Sequence, residues 1–198
     1  MDRIQIIQSL INKIGAKKYL EVGVQAGVCF KSIECETKIG VDPDQYSYAT
    51  HHMTSDDFFE KLEQLEGVPK LFDVFFSDGL HHADQSERDL LNMIEHLSEG
   101  GYIVVHDNLP TSEKMQLIPL TDQCEWTGNV WETWVKFRMT RRDLEMFVVD
   151  TDHGCGIIHR GSQELLQINS PINYEGFVKN RDEWMNVISV EEFKKRFL

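Results

Sequence analysis

Hydrophobic and polar positions alternate along the chain in two patterns, one typical of helices and the other of short buried strands. Isoleucine and leucine recur at three- and four-residue spacing between Ile4 and Ile14, which predicts an amphipathic first helix. Later apolar runs predict strands at residues 18–22, 38–42, 48–52, 72–76, 102–106, 145–149 and 155–159. Further helices are predicted at residues 28–35, from Ser55 onward with Ser55 as its N-cap, and at residues 84–97.

Strands that alternate with helices predict an α/β fold: a Rossmann-like, doubly wound and mostly parallel sheet of seven strands in a single domain. Only residues 151–154 separate the last two predicted strands, and a parallel crossover needs far more chain, so the sheet should end in an antiparallel hairpin. Gly100 and Gly101 are expected to form a helix-to-strand turn. We expect one domain over residues 1–161, followed by a helical tail, residues 162–198, that forms a lid or a homo-oligomer contact.

Charge and composition narrow the range of partners. The chain has 198 residues and a formal net charge of −13, which argues against binding to nucleic acid or to an anionic membrane surface. No apolar stretch approaches the roughly 18 residues of a membrane span, and no secretory signal is evident, so a cytoplasmic location is expected. Neither a zinc site nor a disulfide framework is predicted, because the cysteines are scattered without a CxxC pair. These cysteines are Cys29, Cys35, Cys124 and Cys155. The expected partner is a small molecule.

Glycines follow the first predicted strand, with Gly23 and Gly27 at the turn into a helix. Glycine allows a ligand to approach the backbone there, and the spacing is GxxxG, unlike the GxGxxG of dinucleotide-binding folds. Asp42 ends the second strand about 20 residues later, where a carboxylate commonly accepts hydrogen bonds from ribose hydroxyls. Glu21 is a candidate acceptor for an ammonium group. The alternative interpretation is a tight turn and a solvated strand end, but the order of these features favours a ligand site.

These segments resemble the class I methyltransferases that depend on S-adenosylmethionine (SAM). The resemblance is carried by Leu-Glu-Val-Gly-Val-Gln-Ala-Gly at 20–27, Ile-Gly-Val-Asp at 39–42 and Gly-Gly-Tyr-Ile-Val-Val at 100–105, and it extends over roughly residues 18–160. It implies that residues 1–161 are a SAM-dependent methyltransferase domain. The cofactor site that it implies comprises Glu21, Gly23, Gly27, Asp42, Ser55, Asp56 and Asp78, with Ser55-Asp56 next to the adenine.

Polar clusters follow the strands predicted at 72–76 and 102–106. The carboxyl ends of strands in an open α/β sheet meet at one crevice, so these clusters should lie together. Asp78, Asp107 and Asn108 offer three hard oxygen ligands, which suit Mg²⁺. The alternative is turn chemistry alone, since Asp and Asn favour turns. His106 ends a buried strand and is interpreted as a hydrogen-bonded core residue.

This arrangement is similar to the metal-dependent O-methyltransferases of the catechol and macrolide-sugar types, in which a base lies three residues after the first aspartate. The resemblance implies that His81 is the general base, with His82 as the alternative. Asp-Gly-Leu-His and Val-Val-His-Asp also resemble a bacterial methyltransferase family whose genes often lie near surface-glycan genes. The implied reaction is O-methylation of a sugar or other small-molecule hydroxyl, in which Mg²⁺ lowers the hydroxyl pKa and His81 accepts the proton.

Two rival functions and one aromatic segment stay open. The first rival is a metal-independent N- or O-methyltransferase in which Asp78 and Asp107 only shape the pocket. The second is a non-catalytic nucleotide-binding module that holds SAM or NAD. Trp126, Trp131 and Trp134 follow the fifth predicted strand, and we favour packing against the sheet for the last two, which lie three residues apart. Facing the crevice, they would suit a sugar or aromatic acceptor.

Overall fold

A seven-stranded sheet lies at the centre of the protein, whose computed structural model describes residues 1–120 and 125–198. The strands are β1 (Lys18–Val22), β2 (Thr37–Val41), β3 (Phe72–Ser77), β4 (Leu97–Val105), β5 (Leu144–Val149), β6 (Cys155–Arg160) and β7 (Val187–Ile188). Their order is β2-β1-β3-β4-β6-β5-β7. β2, β1, β3 and β4 are parallel, and β6 runs antiparallel to β4 and β5. The predicted α/β fold class and the antiparallel hairpin are confirmed.

Helices cover both faces of the sheet. They are α1 (Arg3–Ile14), α2 (Val28–Ser32), α3 (Ser55–Lys61), α4 (Ala83–Glu95), α5 (Val130–Thr140), α6 (Tyr174–Met185) and α7 (Val190–Phe197). α1 begins where the Asp2 carboxylate accepts the Gln5 N–H and the Gln5 side chain accepts the Asp2 N–H, which is a capping box. One core joins the sheet to α3, α4, α5 and α6, and a second joins it to α1, α2 and α7. Within the described residues, no helix has the length and apolar character needed to cross a bilayer.

The edges of the sheet differ from the sequence prediction. Residues 48–52 do not form the predicted strand; only an isolated bridge joins His51 to Val41. The Thr50 hydroxyl accepts the Gly40 N–H, which a paired strand would otherwise engage through a carbonyl. The seventh strand is β7 instead, which pairs with β5 at the opposite edge.

The segment before the central strand β4 also differs from the prediction. α4 ends at Glu95 and β4 begins at Leu97, so Gly100 and Gly101 lie inside the strand and do not form its entry turn. The pairing of β4 with β3 shifts register there, and the two glycines fall in the resulting irregularity. The β4 segment at 102–105 keeps the predicted position and carries the polar residues that follow it.

The C-terminal tail contributes to both layers of the fold. α6 packs against α5 on one face, and Phe193 of α7 is fully buried on the other. β7 extends the sheet beside β5. A lid or oligomer role for residues 162–198 stays a prediction.

The order of the strands places a crevice beside β1. The chain leaves β1 for β2 on one side, while β3 lies on the other, and ligands of open α/β sheets bind at such a switch point. The segments that follow β1 and β3 nearly touch: the Asp78 N–H donates to the Val22 carbonyl at 2.9 Å. Gly23 has a φ of 88°, and a Cβ on it would lie 1.9 Å from the Asp78 carbonyl oxygen. This close approach of the backbone at residue 78 requires glycine at position 23.

We expect Gly23→Ala to destabilise the fold by more than about 4 kcal/mol, because the added methyl overlaps backbone that cannot move independently. Gly67→Ala is the matched control: Gly67 also has a positive φ, 74°, but nothing lies within 4 Å of its added Cβ. The free energy of unfolding of Gly67→Ala should fall by only about 1–2 kcal/mol, which is the cost of an alanine in the left-handed conformation. Urea denaturation of both variants measures the difference, and equal losses would show that residue 78 does not constrain Gly23.

Candidate active site

A cavity of about 820 Å³ opens at the carboxyl ends of β1, β2 and β3. Four of the residues predicted to bind the cofactor line it: Gly23, Asp42, Ser55 and Asp78. They come from four separate segments of the chain, which the sheet brings to one edge. The cavity therefore lies where the sequence places the cofactor.

Asp42 is fixed at the cavity wall by the backbone around it. Its Oδ2 accepts the Gln25 N–H at 2.8 Å, and its Oδ1 accepts the Asp44 N–H at 2.9 Å. Each carboxylate oxygen can accept a further hydrogen bond. The carboxylate is thus held ready for a ligand hydroxyl without needing to move.

Ser55 lines the cavity, but it is not the N-cap of α3 that the sequence predicts. Thr54, not Ser55, is the N-cap of α3, because the Thr54 hydroxyl accepts the Asp57 N–H at 3.1 Å. Ser55 is the first helical residue, and its hydroxyl donates to Asp89 Oδ1 at 2.6 Å. Burial raises the pKa of Asp89 to about 6.

Three other predicted cofactor residues lie outside the cavity lining. Glu21 is buried on the opposite side of β1, where it accepts a hydrogen bond from the Tyr19 hydroxyl at 2.6 Å. Its expected role as an ammonium acceptor is not supported, since alternation along β1 turns it away from the crevice. Asp56 is exposed and accepts from Arg88 at 3.3 Å, and Gly27 is the N-cap of α2.

A second group of polar residues adjoins the cavity at Asp78: two histidines bracket two carboxylates. His81 Nε2 lies 3.2 Å from Asp78 Oδ1, and His81 Nδ1 lies 3.2 Å from Asp107 Oδ2. His106 Nδ1 lies 3.4 Å from Asp78 Oδ1 and 3.2 Å from Asp107 Oδ1. We call Asp78, His81, His106 and Asp107 the carboxylate–histidine cluster. The structure thus brings together Asp78, His81 and Asp107, as the sequence predicts.

The turn between β5 and β6 supports the loop after β4. Asp107 has a φ of 63°, in the left-handed region that non-glycine residues rarely adopt. The Asn108 N–H donates to the Gly154 carbonyl at 3.2 Å, and the Leu109 N–H donates to the His153 carbonyl at 2.7 Å. These bonds fix the backbone conformation that aims Asp107 at the two histidines.

The charges of the cluster are strongly coupled. Burial opposes ionisation of Asp78, but its contacts with His106 and His81 outweigh that effect and hold its pKa well below the usual range. Burial also opposes the charged form of His81, yet Asp78 and Asp107 raise its pKa above the ordinary value. The same balance, with Asp152 added, raises the pKa of His106 to about 12. The carboxylates therefore favour the positively charged form of both rings.

Asn108, the third predicted metal ligand, is fully buried. Its Nδ2 donates to the Val105 carbonyl at 2.8 Å, which turns the amide back onto the end of β4. Among the described residues, nothing donates to its Oδ1. Asp78, His81 and Asp107 offer ligand atoms within 4.8 Å of one another, and carboxylate and amide oxygens are ligand types that suit a divalent cation.

Trp126 covers one side of the cluster. Its ring stacks on the His81 ring, with the two centroids 5.2 Å apart. The His82 ring lies nearly perpendicular to it, with the centroids 6.2 Å apart. His81 Nδ1 also lies 3.1 Å from the Trp126 carbonyl oxygen. Trp131 and Trp134 are fully buried, so their predicted packing role is confirmed. His82 contacts the tryptophan, whereas His81 contacts the carboxylates.

Sequence reasoning missed Asp152 and the role of His106. Asp152 Oδ1 lies 3.5 Å from His106 Nε2, so His106 joins the cluster and is not merely a core residue. The Arg3 guanidinium lies 2.9 Å from the same oxygen of Asp152. The predicted hairpin does not by itself reveal this contact, because the turn at 151–154 reaches the carboxyl end of β4 only through the pairing of β6 with β4. Cys124 lies outside the described residues, and Cys29, Cys35 and Cys155 are free thiols.

The strand order of the sheet and the cavity at the ends of β1, β2 and β3 are those of the class I methyltransferase fold. Comparison with known proteins agrees: residues 20–108 match a family model described as a methyltransferase domain. A comparison with curated protein sequences found no significant match to the chain. The chain has the class I methyltransferase fold, and residues 20–108 carry the match to a methyltransferase domain.

Solved structures with the same fold include several methyltransferases. The O-methyltransferase TomG from Streptomyces achromogenes, involved in tomaymycin synthesis and bound to SAM, matches over 78% of each chain with a TM-score of 0.59 and 13% identity. A Bacillus cereus O-methyltransferase bound to S-adenosylhomocysteine (SAH) matches over 80% of each chain, with a TM-score of 0.54 and 13% identity. MycE from the mycinamycin pathway, bound to Mg, SAH and mycinamycin VI, matches over 89% of this chain and 53% of its own, with a TM-score of 0.50 and 14% identity. At these identities the likeness establishes the fold.

Glu21 generates a prediction about stability and pH. Burial, opposed by the Tyr19 hydroxyl, raises the pKa of Glu21 from 4.5 to about 7. The folded chain therefore keeps a proton that the unfolded chain releases, and this contribution to stability is lost as the pH rises from about 5 to 7. Glu21→Gln has no proton to lose. When the pH is raised from 5 to 8, the free energy of unfolding of Glu21→Gln should increase by roughly 1–3 kcal/mol relative to that of the wild type.

Urea denaturation at the two pH values measures this difference. Glu34→Gln, at an exposed position, is the control and should follow the wild type. If Glu21→Gln and the wild type lose stability in parallel, burial of Glu21 does not couple its proton to folding.

Proposed function

We propose that the chain is an O-methyltransferase that uses SAM and a divalent cation, Mg²⁺ in the first instance, to methylate a hydroxyl of a sugar or other small molecule. The observation that carries the proposal is the position of Asp78. It lines the cofactor cavity and also belongs to the carboxylate–histidine cluster, where His81 lies 3.2 Å from it. A methyl donor in the cavity and an acceptor hydroxyl at the cluster would therefore be neighbours.

SAM fits the cavity through groups that the chain already holds in place. Asp42 would accept hydrogen bonds from the ribose hydroxyls, and Ser55 lies at the opening of α3, at the expected adenine position. Gly23 and Asp78 form the part of the wall that faces the cluster. The methyl-bearing end of SAM would then point toward Asp78.

Asp78, Asp107 and Asn108 would hold the cation, which when bound supplies a Lewis acid that lowers the pKa of the acceptor hydroxyl. His81 takes the hydroxyl proton at a ring nitrogen while the oxygen attacks the SAM methyl group. The O–CH₃ bond forms as the S–CH₃ bond breaks, SAH leaves, and the proton passes from His81 to solvent. Holding both reactants in line contributes much of the acceleration.

Proton transfer in this scheme depends on whether the His81 ring is protonated. Asp78 and Asp107 raise its pKa in the metal-free chain, and a protonated ring cannot accept a proton. A divalent charge at the two carboxylates would oppose that protonation. The cation and the base are therefore expected to act together.

Trp126 supports a small, ring-shaped acceptor. Its indole is half-buried beside His81, next to the group that would accept the proton. An aromatic surface next to converging polar groups is typical of pockets for sugars and other organic ligands. The solved structure of MycE holds the small molecule mycinamycin VI together with Mg and SAH.

A metal-independent methyltransferase is the second candidate, and one observation favours it. His81 and His106 already compensate the charges of Asp78 and Asp107. In that case the two carboxylates would shape the pocket and position His81 without an ion.

Removal of the Asp42 charge tests the cofactor site. Asp42→Asn keeps the size of the side chain but removes one acceptor from the ribose position, and SAM affinity should fall about 10- to 100-fold. Asp56→Asn is the matched control, because Asp56 lies outside the lining, and its SAM affinity should not change. Calorimetry measures both, and unchanged affinity in a folded Asp42→Asn protein would place SAM elsewhere.

The catalytic proposal predicts separate effects of the metal and of the base. Excess EDTA should abolish SAH formation with nucleotide-sugar or catechol acceptors, and Mg²⁺ should restore it. His81→Gln should lower turnover by about 10²–10⁴-fold with SAM affinity unchanged, since only the proton acceptor is lost. His82→Gln should remain near the wild-type rate. Full turnover in EDTA would favour the metal-independent candidate, and an inactive His82→Gln beside an active His81→Gln would reassign the base.

A further inference from the structure

The imidazole of His106 is buried among three carboxylates but forms no well-aligned hydrogen bond with any described residue. Only 6% of the residue is exposed, and among the described residues neither ring nitrogen makes a well-aligned hydrogen bond. Three carboxylates nevertheless lie close to it: Asp107 at 3.2 Å and Asp78 at 3.4 Å from Nδ1, and Asp152 at 3.5 Å from Nε2. The ring therefore has charge partners, but its two nitrogens are not used in aligned hydrogen bonds, and a buried polar group in that state requires an explanation.

We propose that His106 is a further ligand of the cation, through Nδ1, and that Asp152 orients its ring from Nε2. This inference rests on the proposed function, because it concerns the same cation. Nδ1 lies near one oxygen of each carboxylate that would hold the ion, at separations close to the roughly 3 Å expected between neighbouring ligands of one ion. An imidazole that binds a metal through one nitrogen commonly meets a carboxylate at the other.

Asp152 is held in place for this role. The Arg3 backbone N–H and its guanidinium both donate to Asp152, at 2.9 Å. Asp152 and His153 have φ values of 48° and 56°, so the turn between β5 and β6 is in the left-handed region at two non-glycine residues. The Leu109 N–H donates to the His153 carbonyl and ties this turn to the loop after β4. Asp152 is therefore a positioning residue, anchored by α1 and by the turn.

A separate ion at the other side of His106 is less favoured. Cys155 Sγ and Asp152 offer ligand atoms within 4.8 Å of those of His106. However, the Arg3 guanidinium lies 2.9 Å from both oxygens of Asp152, and its charge would oppose an ion there. The nitrogen of His106 is thus assigned to the ion at Asp78 and Asp107.

A nitrogen ligand changes which metals fit. Mg²⁺ binds oxygen ligands almost exclusively, whereas imidazole suits transition metals. The site is therefore expected to bind Mn²⁺ and Co²⁺ more tightly than Mg²⁺. This difference in affinity should depend on His106. Mg²⁺ can still support activity through the oxygen ligands.

The test uses the full chain with Mn²⁺ and SAM, examined by pulsed electron paramagnetic resonance. Bound Mn²⁺ should show a directly coordinated ¹⁴N, which changes in ¹⁵N-histidine-labelled protein. The signal should persist in His81→Gln and disappear in His106→Gln. His153→Gln is the matched control, since its ring lies 6.4 Å from that of His106 and is partly exposed, and it should keep the signal.

Calorimetry gives an independent measurement. Mn²⁺ affinity should fall about 10- to 100-fold in Asp152→Asn, as for loss of an orienting carboxylate. In His106→Gln, Mn²⁺ affinity should fall more than Mg²⁺ affinity. If His106→Gln does not fold, a nitrogen signal retained in His81→Gln still supports the assignment.

Four results would overturn the inference. Bound Mn²⁺ without nitrogen coupling would refute it alone and leave the proposed function standing. Loss of the signal in His81→Gln would move the nitrogen ligand to His81, and a thiolate absorption band with Co²⁺ would move the ion to Cys155. Failure of Mn²⁺ and Mg²⁺ to bind would refute both this inference and the cation in the proposed function.

Discussion

Two like charges, Asp78 and Asp107, share a largely buried site, and much of the surrounding structure serves to compensate them. Carboxylates close together in a buried place are unfavourable unless positive groups and hydrogen bonds offset their charge. His81 and His106 do so within 3.4 Å of both. The compensation extends outward, because His106 approaches Asp152, which in turn binds Arg3. The N-terminal helix and the β5–β6 turn thus take part in a site that is centred on the ends of β3 and β4.

The cofactor cavity and this cluster are joined through the backbone at Asp78. The chain after β3 approaches the turn after β1 so closely that position 23 cannot carry a side chain. The side chain of Asp78 reaches the histidines while the residue also lines the cavity. A ligand that shifts either loop must therefore affect the other, so binding of the methyl donor and the geometry of the cluster are expected to be coupled.

Sequence reasoning succeeded where the information is local or follows from parallel strands. The strand ends carrying Asp78 and Asp107 were predicted from apolar runs, and a parallel sheet necessarily brings such ends together. It failed where the answer depends on distant pairing. Whether His106 contacts Asp152 depends on β6 lying between β4 and β5, and periodicity does not specify strand order. Glu21 lies outside the cavity lining because alternation along β1 turns it, with Tyr19, toward the opposite face, which its chemical type alone does not reveal.

The charge balance also bears on how the site exists without a ligand. Without an ion, the rings of His81 and His106 lie within 3.4 Å of both carboxylates, where they can offset the charge that an ion would otherwise neutralise. Under the proposed function, a divalent cation would take over this compensation, because its charge would lie at the same two carboxylates. Under the proposed function, His81 would change role with occupancy: it would lie beside the carboxylates as a counter-charge without an ion and would accept a proton once a cation offsets them. The same residues can therefore stabilise the fold in one state and support methyl transfer in the other, without a rearrangement of the strands that carry them.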